Sequence, residues 1–182
     1  PVDTWEGIQN KKGESIISLF YNNQEKYAFS FQMMAYISRL DLIKKVMKEK
    51  KNCVIISERS VHTDKCVFAK MLFDNGVMED VEYEIYNKWF DSFVSDIPLR
   101  GILYLDVEPI KCKERIEKRN RNGETIALSY LEDCERYHKE YVSGYECEML
   151  DGNREFDEME NEVMEKMGSF IYKCLDNSVN GG

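Results

Sequence analysis

The sequence predicts a three-layer α/β fold in which helices cover both faces of a parallel sheet. Two short apolar runs, Cys53 to Ile56 and Gly101 to Asp106, have the length and composition of buried strands. A weaker run, Glu146 to Leu150, is a third candidate strand. Segments with helical periodicity separate the three runs, and strands that alternate with helices form parallel β-α-β units. Because sheets usually hold about five or six strands, three are few for this many apolar helices.

The predicted helices follow from apolar residues that recur every three or four positions. The run Asp74-Asn75-Gly76 ends the second helix, and Pro98 prevents the third helix from continuing. Pro109 suits the first turn of the fourth helix. In chain order, we expect helices near residues 31–47, 61–72, 81–93, 109–121, 127–141 and 156–174.

Composition narrows the class of protein. The 182 residues are enough for one domain with its own core. The formal charge, 25 − 34 = −9, argues against nucleic acid or an anionic membrane as a partner. No apolar run approaches the roughly 20 residues of a membrane span, and no signal peptide is visible. The six cysteines are scattered without a C-x-x-C pair, which favours free thiols in a reducing cytoplasm over a zinc site.

The segment from Ile56 to Ser60 carries the clearest chemical signal. It puts an acid, Glu58, and an arginine, Arg59, between a predicted strand and a predicted helix. Ligands of parallel α/β proteins bind at the carboxyl ends of strands. There a carboxylate can hold Mg²⁺ or take a proton, and a guanidinium can bind a phosphate or a hydroxyl, as phosphoryl transfer requires. A surface ion pair explains the two residues equally well.

Four segments, taken together, resemble one enzyme family. They are Pro1-Val2 with Trp5, Phe29-Ser30-Phe31-Gln32 with Ser38-Arg39, the run Glu58 to Asp64, and Arg115, Arg119 and Arg121 with Glu124 and Tyr130-Leu131-Glu132. In this order they resemble the deoxynucleoside kinases, and the resemblance covers nearly the whole chain. It implies a P-loop kinase-like fold, a single domain over residues 1–182, and a lid over about residues 111–126.

The resemblance also implies roles for individual residues. Glu58 would bind Mg²⁺, and Arg59 would contact the 5′-hydroxyl region of the nucleoside and the catalytic carboxylate. The lid arginines Arg115, Arg119 and Arg121 would close over the phosphates of ATP and neutralise charge in the transition state. The other positions line the two sites: Trp5 beside the sugar and base, Phe31 in the base pocket, Gln32 on the base edge, Tyr21 and Glu124 at the 3′-hydroxyl, Arg39 and Asp64 at the far end of the base pocket, and Asp151 and Asn153 near the donor adenine.

The residues by themselves leave simpler alternatives open. Trp5 and Gln32 also suit an ordinary core, and the lid arginines a solvated helix face. Arg39 and Asp64 also suit a structural ion pair without effect on selectivity. His138 suits a solvated helix position and receives no role. The aromatic series on the third helix suits either the core or the homodimer interface that the resemblance implies; it comprises Tyr86, Trp89, Phe90 and Phe93.

The predicted reaction transfers the γ-phosphate of ATP to the 5′-hydroxyl of a deoxynucleoside, in cytoplasmic nucleotide salvage. A charge-assisted pair between Arg39 and Asp64 would leave little room for the thymine methyl group, so we expect deoxycytidine or a deoxypurine to be preferred over thymidine. Two rival functions remain. One is a thymidylate kinase-like nucleotide kinase, and the other is a non-catalytic nucleotide-binding module derived from a kinase.

The chain departs from the family at its amino end. It contains no G-x-x-x-x-G-K-[ST] phosphate loop, and the family's general base, a glutamate directly before Pro-Val, would precede Pro1. The family's first strand, which lies between the strands that match 53–57 and 101–106, would also precede it. We therefore expect an amino-terminally incomplete chain that lacks strands of the sheet. Alone, this fragment would be inactive and poorly stable.

Overall fold

The computed structural model of the chain describes residues 2–120 and 126–179. A π-helical turn, Asp64–Ala69, joins the fourth helix to the fifth. Within the described residues, no helix is both long enough and apolar enough to cross a membrane. The elements are α1 (Val2–Glu6), α2 (Ile16–Asn22), α3 (Gln24–Glu49), α4 (Val61–Thr63), α5 (Lys70–Asp74), α6 (Asp80–Phe93), β1 (Ile102–Asp106), α7 (Pro109–Arg119), α8 (Leu128–Val142), β2 (Cys147–Asp151) and α9 (Phe156–Val179).

The strands β1 and β2 pair in parallel. Ile102 lies opposite Cys147, and the register ends with Asp106 opposite Asp151. Two helices, α7 and α8, form the connection between the strands, as a parallel crossover requires. The predicted strands at 101–106 and 146–150 are therefore confirmed, and so is the parallel α/β class. The predicted helices are found as well, although 61–72 is divided into α4, the π-helical turn and α5, and α7 ends at Arg119.

The prediction of a strand from Cys53 to Ile56 is wrong for the described part of the chain. Residues 53–57 form no strand there and make no backbone hydrogen bond to another described residue. Val54, Ile55 and Ile56 are 50%, 41% and 61% exposed. A strand exists only where a neighbour accepts and donates its backbone hydrogen bonds, and no neighbouring strand stands beside this segment among the described residues. An apolar sequence alone therefore did not suffice.

Much of the core lies between the long helix α3 and the helices α4, α5, α6 and α8. Tyr36 of α3 packs on Tyr86 and Phe90 of α6, with ring centroids 5.7 Å apart in both pairs. A second cluster joins the π-helical turn and α5 to α8. It contains the buried residues Val67, Phe68, Met71, Tyr137, Tyr141 and Val142.

The carboxyl-terminal helix α9 covers the beginning of β1. A methyl group added at Gly101 would lie 2.6 Å from Sγ of Cys174 and 2.8 Å from the ring of Phe170. Only glycine permits this close approach of helix and strand. The helix thereby holds β1 and β2 in place, and with them the loops that follow the two strands.

Candidate functional site

A strained turn carries Glu58 and Arg59. Arg59 has φ +61°, a left-handed conformation that costs an L-residue about 1–2 kcal/mol. Two hydrogen bonds stabilise the turn: Ser57 Oγ donates to the carbonyl of Arg59 at 2.6 Å, and Arg39 Nη1 donates to the carbonyl of Glu58 at 2.8 Å. The Ser60 hydroxyl accepts from the backbone N–H of Thr63 and so begins α4 directly after the turn. Both charged side chains stay exposed.

The guanidinium of Arg59 lies over the ring of Phe68, 4.6 Å from its centroid. Burial raises the pKa of the neighbouring Cys134 thiol to about 12, although the charge of Arg59 opposes this shift. Burial lowers the pKa of His138, and the charge of Arg59 lowers it further. The expectation that His138 is solvated is wrong, because its ring packs against Phe68 and Tyr104. Sequence reasoning missed this cluster, since its members come from four separate segments.

A buried polar group lies on α3. Gln32, Arg39 and the facing Asp64 are 2%, 7% and 3% exposed. The Nε of Arg39 donates to Oδ2 of Asp64 at 2.9 Å. Burial raises the pKa of Asp64 to about 6, although Arg39 acts in the opposite direction. Gln32 lies about two helical turns before Arg39, on the same face of α3.

Aromatic side chains of α1, α2 and α3 pack together in a cluster of their own. The indole Nε1 of Trp5 donates to Ser38 Oγ at 2.8 Å, and its ring meets Phe31 edge-on at 5.8 Å. Phe31 stacks on Phe20 at 4.4 Å, and Tyr21 lies beside Phe20 at 5.1 Å. The predicted residues Trp5, Tyr21 and Phe31 therefore belong to one cluster. Trp5 is only 8% exposed, as the core alternative also predicts.

A second group of predicted residues lies at the carboxyl ends of β1 and β2. Asp151 Oδ1 accepts from the backbone N–H of Asn153 at 3.0 Å, and Asn153 Oδ1 accepts from the backbone N–H of Glu108 at 2.9 Å. A methyl group added at Gly152 would lie 2.5 Å from Val107, so glycine is needed between the two loops. Arg115 Nη2 donates to the carbonyl of Arg154 at 3.0 Å and thus joins α7 to the same loop.

The structure divides the predicted site residues into these two groups. The first joins α1, α2, α3 and the turn at Glu58, and the second joins α7 to the loops at the end of the sheet. Arg119 lies in the last turn of α7 and is exposed. Arg121 and Glu124 lie outside the described residues.

The described residues contain no group of three or more His, Cys, Asp or Glu side chains that could hold a metal ion. A magnesium ion that travels with a nucleotide needs less, because one or two carboxylates, water and phosphate oxygens complete its coordination. The exposed carboxylate of Glu58 fits that requirement, since it stands open to a bound nucleotide.

An exposed acid and arginine at one turn, tied to a helix that carries buried polar residues on a parallel α/β scaffold, suit a nucleotide-dependent phosphotransferase. A family profile described as deoxynucleoside kinase matches residues 1–172 of the chain. The chain belongs to the deoxynucleoside kinase family. It is accordingly an ATP-dependent phosphotransferase of nucleotide salvage, and it binds nucleotides.

Individual relatives agree with the profile. Deoxycytidine kinase of Bos taurus is 29% identical over 204 residues, which cover 94% of this chain and 78% of the relative. Deoxycytidine kinase 2 of Gallus gallus is 34% identical over 78% of this chain and 62% of the relative. Among solved structures, deoxyadenosine kinase from M. mycoides with bound dCTP matches with a TM-score of 0.71 and 22% identity, over 84% of this chain and 79% of that one. This structure supports the predicted P-loop kinase-like fold.

Proposed function

We propose that the protein phosphorylates deoxycytidine, deoxyadenosine or deoxyguanosine in preference to thymidine. The observation that carries this proposal is the buried residue Gln32 on the same face of α3 as Arg39, which is paired with the buried Asp64. Because an amide offers a donor and an acceptor together, it matches the edge of a nucleobase.

The Arg39–Asp64 pair would set the selectivity. The two side chains hold each other at 2.9 Å and leave neither free to move away from a larger base. A methyl group on the pyrimidine would therefore meet a charged pair that is costly to displace. The names of the deoxycytidine, deoxyguanosine and deoxyadenosine kinases among the relatives support the same choice of substrates.

The direct experiment is a comparison of kcat/KM for the four deoxynucleosides with ATP as donor. We expect thymidine to be the poorest substrate, and a clear preference for thymidine would overturn the proposal. Thymidine monophosphate belongs in the same series, since phosphorylation of the monophosphate alone would favour the thymidylate kinase alternative. Binding of deoxynucleosides without turnover would favour the non-catalytic module.

A variant of Gln32 tests its role directly. Gln32→Leu keeps the size of the side chain and removes its hydrogen bonds. It should lower kcat/KM for every accepted nucleoside about tenfold to a hundredfold, since each hydrogen bond lost to a base is worth about 0.5–1.5 kcal/mol. The matched control is Gln24→Leu, at the first turn of the same helix and remote from Gln32. It should leave kcat/KM unchanged.

The charged residues divide between the two substrates. We infer that Glu58 holds Mg²⁺, that Arg59 contacts the 5′-hydroxyl region, and that Arg115, Arg119 and Arg121 neutralise the phosphates of ATP. The nucleoside would be bound by Trp5, Tyr21, Phe31 and Glu124. The donor base would be bound by Asp151 and Asn153. The exposure of Glu58 and Arg59 and the contact of Arg115 with the loop after β2 support this division.

We also infer a cytoplasmic homodimer. The aromatic series on α6 divides in two: Tyr86 and Phe90 are buried in the core, whereas Trp89 and Phe93 are 47% and 42% exposed. Val81 and Ile85, at 60% and 41%, extend the exposed stripe along the same face. An apolar stripe of this length on a helix is suited to a partner copy.

Sedimentation velocity tests the homodimer. Trp89→Glu should convert a dimer to a monomer, because it puts a charge in the centre of the stripe. The control is Lys88→Glu, one position away on the same helix, which should leave the dimer intact. A wild-type protein that sediments as a monomer would contradict the inference.

A further inference from the structure

His138 packs against Phe68, the ring over which the guanidinium of Arg59 lies. Its ring meets Phe68 edge-on at 5.5 Å, and Arg59 lies over the same Phe68 ring at 4.6 Å. The other neighbour of His138 is Tyr104 of β1, which stacks on it at 6.1 Å. Phe68 therefore connects a titratable ring in α8 with the guanidinium at the end of the strained turn.

The hydrogen bond of His138 determines which tautomer of the neutral imidazole is present. Its Nδ1 lies 2.7 Å from the carbonyl oxygen of Cys134, a pure acceptor, so Nδ1 carries a proton and donates it. The neutral ring then leaves Nε2 unprotonated. Protonation would add a positive charge at Nε2 in a place that is poorly solvated.

The groups that face His138 from other elements determine the effect of that charge. Tyr104 and the neighbouring Cys134 stay neutral, because burial raises the pKa of both to about 12. Arg59 is the charged group whose field reaches the imidazole. A cation binds to an aromatic face through the negative charge of that face. An imidazolium at the edge of Phe68 would weaken this attraction and repel the guanidinium directly.

We propose that His138 is a positioning residue, which keeps Arg59 on Phe68 only while the imidazole is neutral. Catalytic competence would then fall on acidification, as the imidazole takes up a proton and Arg59 leaves its position. The inference rests on the role proposed above for Arg59 in the substrate site. Burial and the charge of Arg59 both lower the pKa of His138, so the fall should occur below the ordinary value for histidine.

The kinetic test is the pH profile of kcat/KM for the best deoxynucleoside, measured from about pH 8 to about pH 5. The wild type should lose about tenfold more activity on the acid side than His138→Gln, which corresponds to one pKa unit of differential interaction. Glutamine is similar in size to histidine but cannot be protonated. An acid limb in His138→Gln that matches the wild type would overturn the proposal, provided thermal melts at each pH find both proteins folded.

The matched control is His62→Gln. His62 is the other of the two histidines, and its ring contacts Phe90 and the carbonyl of Ile97 instead of Phe68. It should keep the acid limb of the wild type. If His62→Gln removes the limb and His138→Gln does not, the proposal is wrong.

A second measurement does not depend on the proposed substrate site. With only two histidines, the imidazole proton resonances of His138 can be assigned by comparison with His62→Gln and titrated by NMR. Arg59→Gln should raise the pKa of His138, since it removes the facing positive charge. An unchanged pKa would overturn the proposal even if Arg59→Gln abolishes activity. Conversely, full activity of Arg59→Gln with a raised His138 pKa would reject the role proposed for Arg59 and leave the coupling intact.

Discussion

The Nε of Arg39, in the middle of α3, lies 2.9 Å from Oδ2 of Asp64, in the first position of the π-helical turn, and both side chains are buried. Arg39 also donates to the carbonyl of Glu58 at 2.8 Å. One guanidinium therefore joins the long helix α3 both to the π-helical turn and to the turn that carries Glu58 and Arg59. The pair should affect stability as well as the nucleoside pocket proposed above.

Removal of one partner of this pair should destabilise the folded protein. Arg39→Met should lower the free energy of unfolding by about 3–5 kcal/mol, because it leaves an uncompensated buried carboxylate. Adding Asp64→Leu to that variant should recover much of the loss. A double-mutant cycle by urea denaturation at neutral pH measures the coupling.

The control for this cycle is the exposed pair of Lys45 and Asp41 on the same helix, which lies 2.6 Å apart with both side chains more than half exposed. Its coupling should stay near 0.5 kcal/mol or below, as for other solvated pairs. Similar coupling energies in the two cycles would show that burial does not determine the strength of the pair.

The pH dependence of stability should show the raised pKa of Asp64. Its folded-state pKa of about 6 exceeds the ordinary value of 3.8, so the folded state binds a proton more readily than the unfolded state. This group should therefore add stability as the pH falls through about 6, with the full effect below the ordinary value. Asp64→Asn should flatten this part of the curve in thermal melts between pH 7 and pH 4, whereas an unchanged slope would contradict the assignment.

Below about pH 4, a different carboxylate, that of Asp74, should determine how stability depends on pH. Asp74 accepts from Lys70 at 2.6 Å and from the Tyr137 hydroxyl at 2.7 Å, and the bond to Lys70, followed by that to Tyr137, lowers its pKa. A lowered folded-state pKa adds stability above the ordinary value, and this stability is lost as the pH falls through the folded pKa. Asp74→Asn should reduce the loss of stability in acid below about pH 4.

The matched control for Asp74 is Asp41→Asn, which breaks another lysine–aspartate pair of the same spacing on a helix surface. It lacks a contact between helices, whereas Asp74 joins α5 to Tyr137 of α8. Equal behaviour of the two variants in acid melts would mean that the Tyr137 contact adds nothing.

Ser57 should affect catalysis more than stability. Its hydroxyl donates to the carbonyl of Arg59 and helps to hold the left-handed backbone there. Ser57→Ala should lower kcat/KM about threefold to tenfold, which matches one hydrogen bond of about 0.5–1.5 kcal/mol. Ser92→Ala removes a comparable exposed hydroxyl-to-carbonyl bond in α6 and should leave the rate unchanged. Equal kcat/KM values for Ser57→Ala and the wild type would show that this hydrogen bond does not contribute to catalysis.

The exposed apolar segment from Val54 to Ile56 should make the 182-residue polypeptide poorly stable by itself. Contiguous exposed aliphatic side chains bind hydrophobic dyes and promote association. We expect strong dye binding and a broad melt by circular dichroism. Ile56→Thr should reduce the dye signal, whereas a sharp cooperative melt of this polypeptide would refute the expectation.

Periodicity was the strong part of the sequence prediction. The helices α3, α6, α7, α8 and α9 and the strands β1 and β2 follow from local patterns of apolar residues, from the stop signals at Gly76 and Pro98 and from the start signal at Pro109. The pairing of Arg39 with Asp64 was also predicted, on the basis of the resemblance. The π-helical turn was not, because its hydrogen-bond pattern depends on packing against α8.

The sequence by itself determined the parallel α/β class, through the spacing of its apolar residues. Its resemblance to a known family gave the family and the candidate site residues. Only the tertiary structure decided which of these residues meet. It joined Arg39 to both Asp64 and the Glu58 carbonyl, and it stacked His138 against Phe68 behind Arg59. It also left Cys53–Ile56 without a strand partner among the described residues. Burial, ring contacts and strand pairing depend on segments far apart in the chain, and no local pattern encodes them.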